Sequence, residues 1–234
     1  MERSYSFGTT QAGLRNTHHG VDFTNAQGTP VLAAADGKVI VAGTDHSTEY
    51  GWGLDYYGEL VILQHEFPGY ALPVYTLYAH LSKLLVEPGQ SVQAGEEIGK
   101  VGSTGTAQGA HLHFEVRQGG NSFQDTRNPE LWIKPCEDCG VLVGTILDPE
   151  GNVRRFSNIK VEKMDGALAG KPVYLESYAD PSLKSDDQYQ EIFALGDLSH
   201  GFYRITFSPN GVSQQVDVQI LPDKVTKIVL YVKN

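Results

Sequence analysis

Short runs in which apolar and polar side chains alternate recur along this chain, separated by turns rich in glycine and proline. Up to residue 117 the runs are TPVLAAADGKVIVAG, ELVILQHEF, LPVYTLYAHL, EEIGKVGSTG and AHLHFEVR, and glycine closes most of them. Alternation with period two puts every second side chain on one face of an extended backbone, so that one face is buried and the other meets water. No stretch of useful length carries the period of an amphipathic helix, and the pattern predicts an antiparallel β architecture. A second series follows in residues 140–234: VLVGTILDPEGNV, PVYLESYAD, EIFALGDL, GFYRITFS, VSQQVDVQIL and KIVLYVKN. Its spacing and length fit a seven-strand sandwich. The break at residues 133–140 separates two predicted domains, 1–135 and 140–234, of an all-β chain.

The stretch VEPGQSVQAGEEIGKVG, residues 86–102, alternates Pro-Gly and Ala-Gly turns with apolar pairs, as the hairpins of lipoyl and biotinyl carrier domains do. A carrier displays a lysine at the hairpin tip. The turns here offer Gln90 and Glu96, so this stretch reads as a scaffold hairpin.

Bulk properties narrow the function classes. With 40% hydrophobic and 20% charged residues, 26 glycines, 11 prolines and 12 tyrosines, the chain is an ordered, turn-rich one. A formal charge of −10 repels phosphate backbones and excludes nucleic acid as the natural partner. No apolar run reaches the roughly 18 residues that suggest a membrane span. The opening MERSYSFGTTQAG lacks a basic segment followed by an apolar one, so no signal peptide is visible, which leaves location open. The two cysteines, Cys136 and Cys139, are too few for an all-thiolate zinc site. They read as a small disulfide or two free thiols at a junction rather than a redox motif, because no helical pattern follows.

The histidines carry the chemistry. In GAHLHFEVR an extended backbone sets His111 and His113 on one face, about 6.6 Å apart along the strand. Two imidazoles on one face are either solvated surface groups or parts of a site that the rest of the chain completes. In THHGVDF an extended backbone aligns His18, Gly20 and Asp22 and turns His19 away; the glycine would leave room for an ion. His80 closes the alternating run YTLYAHLS. His46, in a charged loop, His65, at a strand end, and His200, in a turn, have no such pattern and read as structural.

HHGVDF, GTPVLAAADGKVIVAG, LYAHLS and VEPGQSVQAGEEIGKVGSTGTAQGAHLHFEVR, in this order and at these separations, resemble the lysostaphin/LytM-type zinc endopeptidases that cut peptidoglycan cross-bridges. The resemblance covers residues 5 to about 130. It implies an antiparallel LytM-type peptidase domain in which His18, Asp22 and His113 hold Zn²⁺ while His80 and His111 flank the attacking water. Which of His80 and His111 accepts the proton stays open. No H-E-x-x-H glutamate is present to act as base. The implied substrates are peptidoglycan stem peptides or cross-bridges, often cut at glycine, and the implied location is outside the cytoplasm: secreted, periplasmic or in the cell wall.

Some relatives of this type have lost ligands and act by binding peptidoglycan or activating other enzymes; all five positions are filled here. A third possibility keeps the hydrolase and exchanges peptidoglycan for soluble glycine-rich proteins. The loop TDHSTEYGWGLDYYGE, residues 44–59, is longer than such domains usually have. Its Tyr50, Trp52, Tyr56 and Tyr57 either line the substrate groove or cap the sheet edge. The second series of strands resembles the transthyretin-like or carboxypeptidase-regulatory-type β-sandwiches attached to secreted enzymes, which implies an accessory module.

Overall fold

The computed structural model describes residues 3–233. The N-terminal reading begins on Met1 and Glu2 and the predicted second domain ends on Asn234, all outside the described residues. The described residues form strands and a few single 3-10 turns with no α-helix, so the protein is all-β as the alternation predicts. No helix of the described residues is long and apolar enough to cross a membrane.

The chain folds into two compact units. The first comprises Met1–Ser6 and His19–Pro129. Its strands are β1 (Arg3–Tyr5), β2 (Val21–Thr24), β3 (Pro30–Leu32), β4 (Gly37–Thr44), β5 (Glu59–His65), β6 (Val74–Ala79), β7 (Leu81–Leu84), β8 (Ser91–Val92), β9 (Glu97–Val101), β10 (His111–Gln118) and β11 (Thr126–Arg127). An eight-stranded sheet runs β1-β2-β10-β6-β5-β4-β8, with β11 also paired to β10. A three-stranded sheet runs β3-β9-β7. Every pairing in this unit is antiparallel.

Residues 86–102 do not form one hairpin: β8 joins β4 in the large sheet, while β9 lies between β3 and β7 in the small one. The turn between them is bonded to Ala33 instead, whose N–H donates to Glu96 O at 2.9 Å and whose carbonyl accepts from Gly95 N at 2.8 Å.

Leu60, Val61, Ile62 and Leu63 of β5 are all buried, as a continuous apolar run in a strand covered on both faces requires. Leu60 and Ile62 pack with Leu77, Ala79 and Tyr57 in one cluster. On β10, Leu112, Phe114 and Val116 alternate with His111, His113, Glu115 and Arg117, yet Glu115 and Arg117 are as fully buried as any core leucine. Burying charges costs free energy unless they are paired and hydrogen-bonded, so this polar face needs a specific set of partners.

The second unit comprises Phe7–His18 and Glu130–Asn234. Its strands are β12 (Cys139–Leu147), β13 (Ile159–Lys163), β14 (Pro172–Leu175), β15 (Phe193–Ser199), β16 (Gly201–Phe207), β17 (Gln214–Ile220) and β18 (Val225–Tyr231). They form two sheets, β15-β12-β18 and β14-β13-β16-β17. The β12–β18 pair is parallel, the one departure from an otherwise antiparallel arrangement among the described residues of this unit. Both sheets contribute to a single apolar core: Leu142, Ile146, Phe193 and Leu230 from the first, with Ile159, Val161, Ile205, Phe207 and Ile220 from the second. β13 is the strand the sequence pattern does not reveal. Its alternation, Ile-Lys-Val-Glu-Lys, holds only two apolar residues. Cys136 and Cys139 form a disulfide.

The segment Phe7–His18 is anchored within this second unit. Gly8 N donates to His18 O at 2.7 Å, His18 N donates to Thr9 O at 3.0 Å, and Ala179 N donates to Gly8 O at 2.8 Å. The Glu176 carboxylate accepts from Thr10 N at 2.9 Å.

Candidate metal centre

Strand order assembles the site. β10 lies between β2 and β6, and the register sets His113 opposite Asp22 on one side and opposite Ala79 on the other. His80 follows Ala79 immediately. Its backbone has φ 62°, a left-handed conformation that is uncommon for a residue with a side chain. Two bonds hold it there: His80 N donates to Tyr57 O at 3.0 Å, and His80 Nδ1 lies 2.9 Å from Thr104 O. Thr104 reaches that place because Gly58 and Gly105 meet face to face. A Cβ on Gly58 would lie 2.4 Å from Gly105 N, and one on Gly105 would lie 2.6 Å from Gly58 N.

His18, Asp22 and His113 are all buried, and one ligand atom from each lies within 4.8 Å of the others. They come together although the strand starts only at Val21, with His18 in the segment before it, so a fully extended HHGVDF is not what aligns them. Gly20 acts differently from expectation. A Cβ there would lie 2.7 Å from both Nε2 and Cε1 of His113 and 2.6 Å from Phe114 O, so the space it leaves is filled by the His113 ring.

His111 and His80 stand beside this group. Their ring centroids are 4.8 Å apart, and His80 is 5.6 Å from His113. His111 Nε2 is 3.5 Å from Asp22 Oδ2, and its Nδ1 is 2.9 Å from Gly109 O. The structure thus gathers all five residues singled out in the sequence. The remaining histidines are engaged elsewhere. His19 stacks on Phe123 at 3.8 Å and its Nδ1 lies 3.1 Å from Thr126 Oγ1. His65 is buried between Asp36 O at 2.8 Å and Thr76 Oγ1 at 2.7 Å. His46 pairs with Asp55 at the surface, and His200 is exposed.

Sequence reasoning missed a second layer. His113 Nδ1 is 2.9 Å from Asp22 Oδ1, and its Nε2 is 3.0 Å from Glu115 Oε1. Arg117 donates to Glu115 Oε2 from Nε at 2.8 Å and lies 2.7 Å from it through Nη2. Tyr57 OH donates to Glu115 Oε1. The signal was there: in HLHFEVR the same period that pairs His111 with His113 carries on through Glu115 and Arg117.

The electrostatics follow from this packing. Burial first, then the neighbouring His113 and His111, lowers His80 to about 3, so it is a neutral imidazole near neutral pH. Burial also opposes charge on His113, but its bonds to Asp22 and Glu115 outweigh that and raise it to about 9. Glu115 stays ionised despite complete burial, because the Arg117 guanidinium and His113 hold its carboxyl well below the usual range. Burial and the Glu115 carboxylate push the Tyr57 phenol well above its ordinary value. Two imidazoles and one carboxylate, close together and buried, are a donor set that suits a zinc ion, whose catalytic sites take three protein ligands of these types.

Residues 16–125 match the family model described as Peptidase family M23. This segment is similar to M23 domains. Within it lie all five histidine and aspartate positions, as well as Glu115 and Arg117. The DD-carboxypeptidase/endopeptidase Mpg of Neisseria meningitidis is 43% identical over 103 residues, which is 44% of this chain and 20% of Mpg. The murein hydrolase activator NlpD of Escherichia coli is 34% identical over 122 residues, 52% of this chain and 27% of NlpD. The chain therefore spans less than a third of either relative. Among solved structures, the catalytic domain of the antimicrobial peptidase lysostaphin from Staphylococcus simulans is 31% identical, with 56% of this chain and 90% of that chain covered and a TM-score of 0.47.

The aromatic loop at residues 44–59 divides between core and surface. Asp45 anchors it, its carboxylate accepting from Tyr57 N at 2.6 Å and Gly58 N at 2.9 Å. Tyr57 is fully buried, with its ring 5.4 Å from that of His113. Trp52 is 50% exposed and meets His19 and Phe123 edge to face at 5.7 and 5.2 Å. The four aromatic residues therefore do not share one role.

Proposed function

We propose that this protein is a zinc-dependent endopeptidase that hydrolyses peptide bonds in peptidoglycan stem peptides or cross-bridges. The observation that carries the reading is the buried cluster of His18, Asp22 and His113, with the imidazoles of His80 and His111 next to it. His18, Asp22 and His113 would hold the metal. Zinc supplies Lewis acidity, which polarises a carbonyl and eases the deprotonation of water.

The chain's own groups do the rest. The Nδ1–H of His80 donates to Thr104 O, which leaves Nε2 to accept a proton from the attacking water. His111 is held by the bond from its Nδ1–H to Gly109 O, with Nε2 on the Asp22 side, where its protonated form stabilises a developing oxyanion and later protonates the leaving amine. We therefore assign the base to His80 and the acid to His111. Residues 1–135 make up the peptidase domain in this reading, and residues 140–234 an accessory, transthyretin-like β module. The substrate class implies work outside the cytoplasm.

The similarity to NlpD, named as a hydrolase activator, supports a second reading in which the M23 domain activates a partner and does not itself cut. Metal analysis of the purified chain, coupled to mass spectrometry of digested peptidoglycan, separates the two. One zinc per chain with new peptide termini supports the endopeptidase. Intact cell-wall peptides under the same conditions, with cutting only after an amidase is added, support the activator.

A further inference from the structure

The ring of His113 lies between two carboxylates, with Nδ1 2.9 Å from Asp22 Oδ1 and Nε2 3.0 Å from Glu115 Oε1. Asp22 belongs to the cluster with His18. Glu115 faces the other edge of the ring, and both of its oxygens are engaged: Oε1 accepts from Tyr57 OH as well, and Oε2 takes the Arg117 guanidinium through Nε at 2.8 Å and Nη2 at 2.7 Å. A carboxylate held in this way is not able to swing round and become another metal ligand. Arg117 is fixed in turn, donating from Nη1 to Asn121 O at 2.8 Å and from Nη2 to Tyr50 O at 2.8 Å. Glu115 and Arg117 sit on strand β10 and are completely buried, as is Tyr57 in the loop before β5.

We infer that Glu115 is a positioning residue: it accepts the Nε2–H of His113, locks the ring in one tautomer and orientation, and thereby presents Nδ1 to the ion, with Tyr57 and Arg117 holding Glu115 in place. The inference deepens the zinc reading above and rests on it. The physical ground is that a ring nitrogen is available to a metal only when the proton sits on the other one, and a fixed acceptor at Nε2 decides which. The strand builds this arrangement from its own period. Residues 113, 115 and 117 share one face of β10, so ligand, acceptor and counter-charge are neighbours without any long-range contact.

Two measurements on the full chain test it. Long-range ¹H–¹⁵N correlation spectra of the zinc-loaded wild type should show His113 carrying a slowly exchanging Nε2–H with Nδ1 on the metal. Metal on Nε2 would overturn the inference, and this readout needs no variant. Glu115→Gln should weaken zinc binding about 10–100-fold in a chelator competition, and should shift the visible absorption of the Co²⁺-substituted protein. Glu162→Gln, whose pair with Lys160 lies in the second unit, should change neither. Zinc affinity within twofold of wild type and an unchanged cobalt spectrum in a folded Glu115→Gln protein would also overturn it. A wild-type chain that takes up no zinc sinks both this inference and the function proposed above, whereas a zinc-binding chain with the other tautomer sinks this one alone.

Discussion

The interiors of the two units are built on different principles. In the second, two sheets close over leucine, isoleucine, valine and aromatic side chains, with no charged group in the cluster. In the first, the strand β10 turns a face of His111, His113, Glu115 and Arg117 inward, and the two charged residues are completely buried. An apolar core gains from every contact and tolerates rearrangement, whereas a buried ionic chain contributes little net stability and fails sharply when one partner is lost. The polar face of β10 thus carries a desolvation cost that the apolar cluster of the second unit does not.

The largest effect that separates the two interiors is chemical. His113→Ala should abolish zinc retention and peptidoglycan cleavage together, read by metal analysis and release of soluble fragments. His111→Ala should keep zinc and lower turnover by about 10²–10⁴-fold. Cleavage at the wild-type rate by both variants would show that the cluster is not the active site.

Next come two losses of similar size and different origin. Arg117→Met leaves the Glu115 carboxylate buried without its counter-charge and should cost about 3–5 kcal/mol. Phe193→Ala opens a cavity in the second unit and should cost about 3–5 kcal/mol as well. Denaturant unfolding measures both. Zinc affinity separates them, falling in the first variant and staying put in the second.

A smaller contrast lies in the pH dependence of metal-free stability. His113 is raised from 6.5 to about 9 by its two carboxylates, so its contribution is complete below pH 6.5 and is lost as pH rises through 9. His80 is lowered by burial to about 3, so its contribution is present above pH 6.5 and is lost as pH falls towards 3. The first unit should therefore be most stable near pH 6.5 and weaken on either side. In the second, burial raises Glu191 from 4.5 to about 7, although Tyr178 OH and Asp186 N bond to it. Its contribution is complete below pH 4.5 and is lost as pH rises through 7. Glu191→Gln should flatten that slope in thermal melts and leave the profile of the first unit alone. The smallest effect belongs to His46→Ala: with a side chain 70% exposed, it should change stability by no more than about 0.5 kcal/mol.

Most strands were legible from alternation, because a strand with one buried face writes its period into neighbouring residues. β13 was not, since two apolar residues are too few to establish a period. The hairpin expected at residues 86–102 was misjudged because a turn rich in glycine reads the same whether the chain doubles back or crosses to another sheet. At the site, HLHFEVR held His111, His113, Glu115 and Arg117 on one face in plain view. Nothing in the local pattern shows that a glutamate and an arginine on that face are buried, since such residues are mostly exposed on strands.

By itself the sequence determined the class of structure and offered histidine and aspartate side chains as candidates for a metal, since both depend on local period and on side-chain chemistry. The tertiary structure alone decided that β10 lies between β2 and β6, so that Asp22 comes opposite His113, with His80 just beyond. It also decided that the polar face of β10 turns inward. Strand order and register are set by packing between distant parts of the chain, and a slip of one residue would send every one of these side chains to the other face.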